Sequence, residues 1–266
     1  MNAPIEIVKE DGIATVTLNR ADKHNAFDDS IIEQMTSAFR NIDADDSIRV
    51  MILAAKGKYF SAGGDLAWMK RMASYSYDEN LADARALAKM LSTLNFLSKP
   101  TIARVQGGAF GGAVGLVSCC DIAIATPNAS FSLSEVKIGL IPATIAPYVV
   151  AAIGERAARR FFITAERFSA EQALKLGLVH EIREETELDK HIVQLTEQIK
   201  NNSPTAVTAA KKVAIDVSHA DIDERLIEDT SERIAAIRVS ENGQEGLSAF
   251  LEKRSPLWIN NPGEKD

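Results

Sequence analysis

Two glycine-rich segments lie about forty residues apart, each between a run typical of a buried strand and a run typical of a helix. The first reads FSAGGD at residues 60–65, and the second reads GGAFGGAV at residues 107–114. Glycine lacks a β-carbon, so a ligand can approach its main-chain N–H closely. We therefore expect amides from both segments to hold one oxygen atom, as in an oxyanion hole. The candidates are Gly63, Gly64, Gly111 and Gly112. Tight turns and close helix packing are the structural alternative.

The second segment leads into AVGLVSCC at residues 113–120, an almost wholly apolar run that predicts a buried helix starting near Gly112. A helix N-terminus carries free N–H groups and about half a positive charge, which stabilises an anion beside it. An enolate oxygen is such an anion. A phosphate-binding loop is the alternative, but neither GxGxxG nor GxxxxGK[ST] occurs in the chain, so we expect no nucleotide site.

Strand and helix patterns alternate along the first part of the chain, which predicts an α/β core. Runs rich in β-branched and apolar residues predict strands at residues 6–9, 13–18, 50–54, 101–105 and 121–125. Apolar residues at three- and four-residue spacing predict a helix over residues 78–97, and Asp28 or Asp29 can cap another that runs to about Arg40. From about Glu155 the chain reads as helical, with helices at 170–176, 187–201, 204–218, 221–240 and 245–254. We expect an α/β core at residues 1–200 and a helical region at 201–266.

Several motifs, in this order, resemble the enoyl-CoA hydratase/isomerase, or crotonase, superfamily. They are LNRADKHNAF at 18–27, FSAGGD at 60–65, KPTIARVQG at 99–107, ASFSLSEVKIGLIP at 129–142 and AERFSAEQALKLGLV at 165–179. The resemblance extends to EGLSAFLEKR at 245–254, so it covers nearly the whole chain. It implies a spiral core of repeated ββα units and C-terminal helices that build a homotrimer or a dimer of trimers. The apolar Ile222, Leu226, Ile234 and Ile237 suit such an interface, although they would also suit an internal core.

The same resemblance assigns roles to individual residues. It implies that the N–H groups of Gly64 and Gly112 hold the thioester oxygen of an acyl-CoA, with coenzyme A as part of the substrate and no separate cofactor. Four further positions match residues that contact the CoA moiety in the family, namely Lys23, Ala62, Asp65 and Leu66. Hydratases of the family usually carry two catalytic glutamates. Glu135 matches the second, whereas Gly115 occupies the place of the first.

One carboxylate must then do the work of two. Glu135 could take a proton from water as it attacks Cβ and return a proton to Cα. The alternative is double-bond isomerisation, in which Glu135 moves a proton from C2 to C4. Composition alone would make Glu135 an exposed or ion-paired residue at a strand end. Burial near Ile138, Leu140 and Ile141 is expected to raise its pKa, as a group that alternates between base and acid requires.

Finer resemblance points to a substrate. The strings DLAWM at 65–69, GLVSCCD at 115–121, IPATIAPY at 141–148 and GERAARR at 154–160 look most like bacterial methylglutaconyl-CoA hydratases of leucine breakdown and related glutaconyl-CoA hydratases. Such a substrate carries a distal carboxylate, so a cation or several hydrogen-bond donors are expected near it, with Lys70, Arg71 and Lys137 as candidates. A solvated surface charge is the alternative for each. The alternatives are a Δ3,Δ2-enoyl-CoA isomerase, a general short-chain enoyl-CoA hydratase, and a noncatalytic acyl-CoA-binding protein.

Composition excludes other classes of function. A net charge of −7 and an isoelectric point near 5.3 argue against a nucleic-acid partner, which needs clustered cations. No apolar run approaches the roughly 20 residues that span a bilayer, and the first ten residues resemble no signal or transit peptide, so we expect a cytoplasmic protein without a membrane partner. No metal site is expected, because the histidines lack metal-binding spacing: His24, His180, His191 and His219. The adjacent Cys119 and Cys120 read as core residues.

Overall fold

The computed structural model describes residues 3–218 and 220–259, so His219 and residues 260–266 of the predicted helical region lie outside the described residues. The strands are β1 (Ile5–Glu10), β2 (Ile13–Leu18), β3 (Val50–Ala55), β4 (Thr101–Val105), β5 (Gly108–Phe110), β6 (Ile122–Ala125), β7 (Ser130–Ser132), β8 (Phe168–Ser169) and β9 (Glu181–Ile182). The helices are α1 (Asp29–Asp43), α2 (Leu66–Met72), α3 (Tyr77–Asn95), α4 (Gly112–Cys119), α5 (Ala146–Ile153), α6 (Glu155–Thr164), α7 (Ala170–Leu176), α8 (Glu185–Lys200), α9 (Pro204–Val217), α10 (Glu224–Val239) and α11 (Glu241–Glu252). The predicted α/β class is confirmed.

Six strands form the larger sheet, in the order β1-β2-β3-β4-β6-β9. The β1–β2 hairpin is antiparallel, and every other neighbouring pair in this sheet is parallel. Parallel strands are covered on both faces, which explains why β3 reads as a continuous apolar run and why Val50, Met51 and Leu53 are fully buried. Helices α1 and α3 pack against each other, and α1 buries Ile32 and Phe39 completely.

A second, smaller sheet gives the core its spiral form. In two successive units, β4 then β5 and β6 then β7, the first strand joins the large sheet and the second joins the small sheet β5-β7-β8. Isolated bridges extend the same stacking to earlier segments, since Ser61 pairs with Ala109 and Phe27 pairs with Gly64. Each segment that follows a large-sheet strand therefore lies on the segment from the next turn. This stacking confirms the expected repeat and brings both glycine-rich segments together.

The C-terminal helices dock at the opposite end of the large sheet, where its strands begin. Lys211 Nζ of α9 lies 2.7 Å from Asp121 Oδ2, just before β6, and Thr208 Oγ1 donates to the carbonyl of Ser98 at 3.1 Å. Neither α9 nor α10 contains a buried residue. In α10 and just before it, Leu226 and Ile237 are half-buried, whereas Ile222 and Ile234 are exposed. The region thus leaves apolar faces uncovered. No helix in the described part of the chain is long and apolar enough to cross a membrane.

Candidate active site

The two glycine-rich loops run side by side. Ser61 N donates to Gly108 O and Phe110 N donates to Ser61 O, both at 3.1 Å. Gly63 sits between them with a φ of +87°, and a β-carbon there would lie 2.7 Å from Phe110 O and 3.8 Å from Gly112 N. A side chain at residue 63 would therefore force the loops apart. The expected convergence of the two segments is present in the fold.

The hydrogen bonds of the loops distinguish the four candidate amides. Gly63 N donates to Ser61 Oγ at 3.1 Å, and Gly111 N donates to Ser132 O at 2.9 Å, so these two amides hold the loops in shape. Within residues 3–218 and 220–259, neither Gly64 N nor Gly112 N donates a hydrogen bond. Two of the four candidates are therefore occupied by the fold, and the remaining two are those that the family resemblance selects.

Gly112 is the first residue of α4, so its N–H lies at a helix N-terminus, where it can stabilise a negative charge. Gly111 precedes it as the N-cap with a φ of +54°, a conformation that favours glycine. The N–H groups of the first turn have no partner inside a helix, and the helix dipole adds partial positive charge there. A β-carbon on Gly112 would also collide with the buried ring of Phe27, 2.7 Å from Cζ. The packing therefore requires glycine here independently of any ligand.

Glu135 lies beside this helix N-terminus. It opens a short 3-10 helix, Glu135–Ile138, and a β-carbon built on Gly111 would stand 3.3 Å from Glu135 Oε1. The other carboxylate oxygen, Oε2, is buried and has no hydrogen-bond partner among the described residues. Burial raises the pKa of Glu135, because the charged form is poorly solvated, while a hydrogen bond to its own backbone opposes the shift. The expected direction of the pKa shift is confirmed.

The source of that burial differs from the expectation. Ile138, Leu140 and Ile141 are 57%, 51% and 72% exposed, so they do not enclose the carboxyl group. Gly139, with a φ of +76°, ends the 3-10 helix, and the apolar side chains on both sides of this turn lie at the surface. The prediction that these residues bury Glu135 is wrong. Gly111 of the second loop does lie next to the carboxyl group, since its built β-carbon would be 3.3 Å from Oε1.

The position of the absent glutamate is filled by aliphatic side chains. A β-carbon on Gly115 would lie 2.3 Å from Ile145 Cγ2, 2.8 Å from Ile145 Cβ and 3.4 Å from Leu91 Cδ2. Ile145 is 2% exposed and Leu91 is fully buried. No polar side chain is among these nearest neighbours, so the space beside α4 that a first glutamate would need is occupied by the core. Of the two positions at which hydratases of the family usually carry a glutamate, Glu135 alone has a carboxyl group here.

Asp65 joins the first glycine-rich loop to helix α2. Its carboxylate accepts hydrogen bonds from Ala67 N at 2.8 Å and Trp68 N at 3.3 Å, which caps α2. Burial opposes ionisation of Asp65, but these amides and the charges of Lys23 and Arg20 outweigh it, so its pKa is lowered. Arg20 Nη2 and Lys23 Nζ lie 3.3 Å and 3.7 Å from Asp65 Oδ2. The carboxylate is thus committed to protein partners, and its contact with CoA stays a prediction.

The other three residues predicted to contact CoA lie in or next to the first glycine-rich loop or in the 3-10 turn that pairs with Asp65. Lys23 ends a 3-10 turn at Ala21–Lys23 and its side chain is about half exposed, while Leu66, the first residue of α2, is 83% exposed. Ala62 N donates to His24 O at 2.9 Å, and Ala62 is half-buried. Lys23, Leu66 and Ala62 therefore have surface within reach of a ligand. Their roles in binding stay predictions.

Sequence reasoning missed two residues that brace the first loop. Ser61 Oγ accepts from Gly63 N and donates to Asn25 O at 2.8 Å, and both residues are buried. The Asn25 side-chain amide donates to Lys56 O and Tyr59 O, each at 2.8 Å. Asn25 adopts a φ of +54°, which asparagine tolerates better than most residues. Its place inside the LNRADKHNAF motif was the available signal.

The three candidate cations for a substrate carboxylate are all exposed. Arg71 is engaged, because its Nη2 donates to Asp29 Oδ1 at 2.6 Å. Lys70 and Lys137 form no ion pair with any residue that the structure describes. Over the same residues, no group of three or more histidine, cysteine or acidic side chains is arranged to hold a metal ion.

Known proteins resemble this chain over nearly its full length. The profile of the family described as enoyl-CoA hydratase/isomerase matches residues 8–261. The crystal structure of an enoyl-CoA hydratase from Shewanella pealeana superposes with a TM-score of 0.94 at 48% identity, covering 96% of each chain. A short-chain-enoyl-CoA hydratase of Clostridium acetobutylicum is 32% identical, over 92% of this chain and 94% of that protein. A carnitinyl-CoA dehydratase of Salmonella typhi is also 32% identical, over 97% of this chain and 99% of the relative.

Proposed function

Because the chain belongs to the enoyl-CoA hydratase/isomerase family and has the crotonase fold, we propose that it is a lyase that adds water across the α,β double bond of an enoyl-CoA thioester. The relatives named above as hydratases and a dehydratase catalyse this class of reaction in one direction or the other. One observation carries the proposal. The half-buried side chain of Glu135, whose Oε2 is enclosed, lies beside Gly111, directly before the unengaged amide of Gly112.

The two amides would hold the thioester oxygen. Attack at Cβ pushes electrons toward the thioester carbonyl, so negative charge develops on its oxygen in the transition state. Donors fixed in advance stabilise such charge more than they stabilise the neutral substrate, and each is worth on the order of 10²–10³ in kcat. Gly64 N and Gly112 N have no competing partner in the described structure, and the α4 N-terminus adds favourable potential.

Glu135 would carry the proton. In its ionised form it accepts a proton from water while the water oxygen bonds to Cβ, and the electrons of the double bond move to form the enolate. Glu135 then gives a proton to Cα, the enolate collapses to the thioester, and the carboxylate is regenerated. The net change is one water molecule added. A carboxyl group with a raised pKa suits both steps, since its ionised form is a stronger base than an ordinary carboxylate and its protonated form is more populated at a given pH.

Isomerisation is the second candidate reaction, and the packing at Gly115 favours keeping it. Moving a proton from C2 to C4 needs one carboxylate and the same two amides, and it requires no bound water. Gly115, packed against Ile145 and Leu91, occupies the place where hydratases of the family usually carry the first of their two glutamates. We place hydration first because the relatives quoted above carry hydratase or dehydratase names.

Mass spectrometry separates the candidates. The purified protein is incubated with crotonyl-CoA, methylglutaconyl-CoA and a 3-enoyl-CoA, and the products are weighed. Hydration adds the mass of a water molecule, whereas isomerisation changes retention and leaves the mass unchanged. A protein that binds these thioesters without water addition, isomerisation or α-proton exchange in deuterated water would be the noncatalytic binder, and the proposed function would fail.

For the substrate, we propose methylglutaconyl-CoA, an intermediate of leucine degradation. The support is the resemblance of the strings at residues 65–69, 115–121, 141–148 and 154–160, together with Lys70 and Lys137, whose ammonium groups have no ion-pair partner in the described chain. A nearby cation would bind the distal carboxylate of this substrate, whereas a plain enoyl chain has no charged group to pair with it. A higher kcat/KM for crotonyl-CoA than for methylglutaconyl-CoA would exclude this assignment.

We also propose that the protein works as a homotrimer or a dimer of trimers. The support is the absence of buried residues in α9 and α10 and the exposure of apolar side chains on α10 and α11, among them Val239 at 77% and Phe250 at 81%. Apolar faces of this kind are typically covered by another chain in a soluble assembly. A second copy of the chain is the proposed partner.

A further inference from the structure

Trp68 lies against the candidate oxyanion loop. It is the one buried residue of the seven in α2, the helix that starts immediately after that loop. A β-carbon on Gly64 would stand 3.5 Å from Trp68 Cζ3 and 3.6 Å from Cε3, which is ordinary van der Waals contact. The indole ring therefore supports the backbone of Gly64 from one side. Met69 Cγ lies equally close, 3.6 Å from the same point, so the first turn of α2 lines one side of Gly64.

Asp83 sets that orientation from α3. The indole Nε1 donates to Asp83 Oδ1 at 3.0 Å, and the carboxyl group is partly buried. The groups that face Asp83 are the Trp68 N–H, the Arg71 guanidinium and the Asp29 carboxylate. Arg71 is itself paired with Asp29 of α1. Helix α2 is thereby tied to α3 by the indole and to α1 by the guanidinium.

We infer that Asp83 is a positioning residue for the reaction, acting through the Trp68 indole to fix the Gly64 amide at the thioester oxygen. This inference rests on the proposed function for the identity of the charge that the amide stabilises. Asp83 itself touches neither loop in the described contacts. Partial burial, and to a lesser degree the neighbouring Asp29 carboxylate, raise the pKa of Asp83, whereas the indole hydrogen bond favours its ionised form.

The inferred role differs from simple support of the fold. An amide that points a fraction of an ångström away from the developing charge loses transition-state stabilisation while substrate binding through the CoA moiety persists. Removal of the acceptor at residue 83 should therefore lower kcat and leave KM nearly unchanged. A purely structural contribution would lower the amount of folded protein and leave the kcat of the folded fraction intact.

The first test is spectroscopic and needs no turnover. The chain has two tryptophans, so W258F leaves Trp68 as the sole indole emitter. In that background we expect D83L to shift the emission to longer wavelength, because the freed indole turns toward water, while D83N, which keeps an acceptor oxygen, emits as the parent does. Far-UV circular dichroism establishes folding. Unchanged emission in a folded D83L protein would overturn the inference.

The second test reads the amides directly. Acetoacetyl-CoA forms an enolate that absorbs in the near ultraviolet, and donors at the thioester oxygen favour that form. We expect the wild-type protein to increase the enolate band, D83L to weaken it, and D78L, which removes an exposed acid of the same helix, to match the wild type. With an active wild type, kcat of D83L should fall about tenfold with KM within threefold, and D83N should restore kcat.

The outcomes separate the two proposals. If the wild-type protein hydrates no enoyl-CoA, the proposed function fails, and the emission and enolate measurements still decide the role of Asp83. If the wild type is active and D83L retains wild-type kcat and a wild-type enolate band, the inference about Asp83 fails while the proposed function stands. A rise in KM with unchanged kcat would likewise overturn it, because that pattern indicates lost ground-state binding.

Discussion

The Glu135 side chain lies next to Gly111: a β-carbon built on Gly111 would stand 3.3 Å from the carboxylate Oε1 of Glu135. Gly111 is followed by Gly112, whose N–H begins α4 and donates to no described residue. The side chain able to move a proton and the amide able to hold a negative oxygen therefore share one small volume. The proposed hydration depends on the proximity of the Glu135 side chain to the Gly112 amide.

Replacing Glu135 by glutamine should lower kcat for hydration by about 100-fold or more, the usual contribution of general acid–base catalysis. Glutamine has nearly the same shape but cannot exchange a proton, so the fold and the affinity for acyl-CoA should persist. Steady-state kinetics and binding titration check this expectation. The matched control is E33Q, because Glu33 is an exposed glutamate of α1. Turnover of E135Q near the wild-type rate would remove Glu135 from the mechanism.

The pH profile should report the buried carboxyl group. Glu135 must be ionised to accept the proton from water, and burial raises its pKa above the usual value of about 4.3 for glutamate. We therefore expect kcat/KM to fall about tenfold per unit as pH decreases below that raised pKa, with the midpoint above the ordinary glutamate range. The residual activity of E135Q should lack this limb. A midpoint at or below the ordinary value would contradict the assignment.

Gly115→Ala should destabilise the protein although alanine favours helices over glycine by about 1 kcal/mol. The added β-carbon would lie 2.3 Å from Ile145 Cγ2, and overpacking of this kind costs about 1–3 kcal/mol. I145A alone should cost about 2–5 kcal/mol as a cavity. In the double variant the new methyl group enters that cavity. The loss of unfolding free energy in the double variant should therefore be smaller than the sum of the two single-variant losses by at least about 1 kcal/mol. Urea unfolding measures all three, and strict additivity would argue against the contact.

Lys70 and Lys137 should matter for a dicarboxylic substrate alone. We expect K137A, K70A or their combination to lower kcat/KM for methylglutaconyl-CoA about tenfold, the effect of losing roughly 1.4 kcal/mol of charge pairing, and to leave crotonyl-CoA unaffected. K175A is the matched control, because Lys175 is an exposed lysine on α7. An equal loss for both substrates in the double variant would exclude carboxylate recognition by these lysines.

Light scattering should find an assembly of three or six chains of 28.9 kDa each. A charge placed on the uncovered α10 face, as in V239D, should shift the population toward monomer, because Val239 is 77% exposed in the single chain and an apolar interface disfavours an unpaired charge. I7D, on the exposed side of edge strand β1, is the comparison variant. A monomeric wild-type protein at micromolar concentration would exclude the proposed assembly.

Local pattern in the sequence determined much of this protein. The two glycine-rich segments, the alternation of strand and helix, and helix bounds such as Ala170–Leu176 follow from residue spacing and turn chemistry, which act over a few neighbouring residues. Glu135 was found through a motif, and the upward direction of its pKa shift was predicted, although from apolar neighbours that prove to be exposed. The absence of a glutamate at Gly115 was also visible in the chain itself.

Tertiary contacts decided the rest. Which amides remain unengaged depends in part on Ser132, whose carbonyl oxygen accepts from Gly111 N across a turn of the spiral, whereas Gly63 N is held within its own loop by Ser61 Oγ. The aliphatic filling beside Gly115 comes from Ile145, thirty residues further along the chain. The link from Asp83 through Trp68 to Gly64 joins two helices and a loop. Hydrogen bonds and packing of this kind pair residues that are distant in sequence, and local propensity carries no information about which distant partner fills a given space.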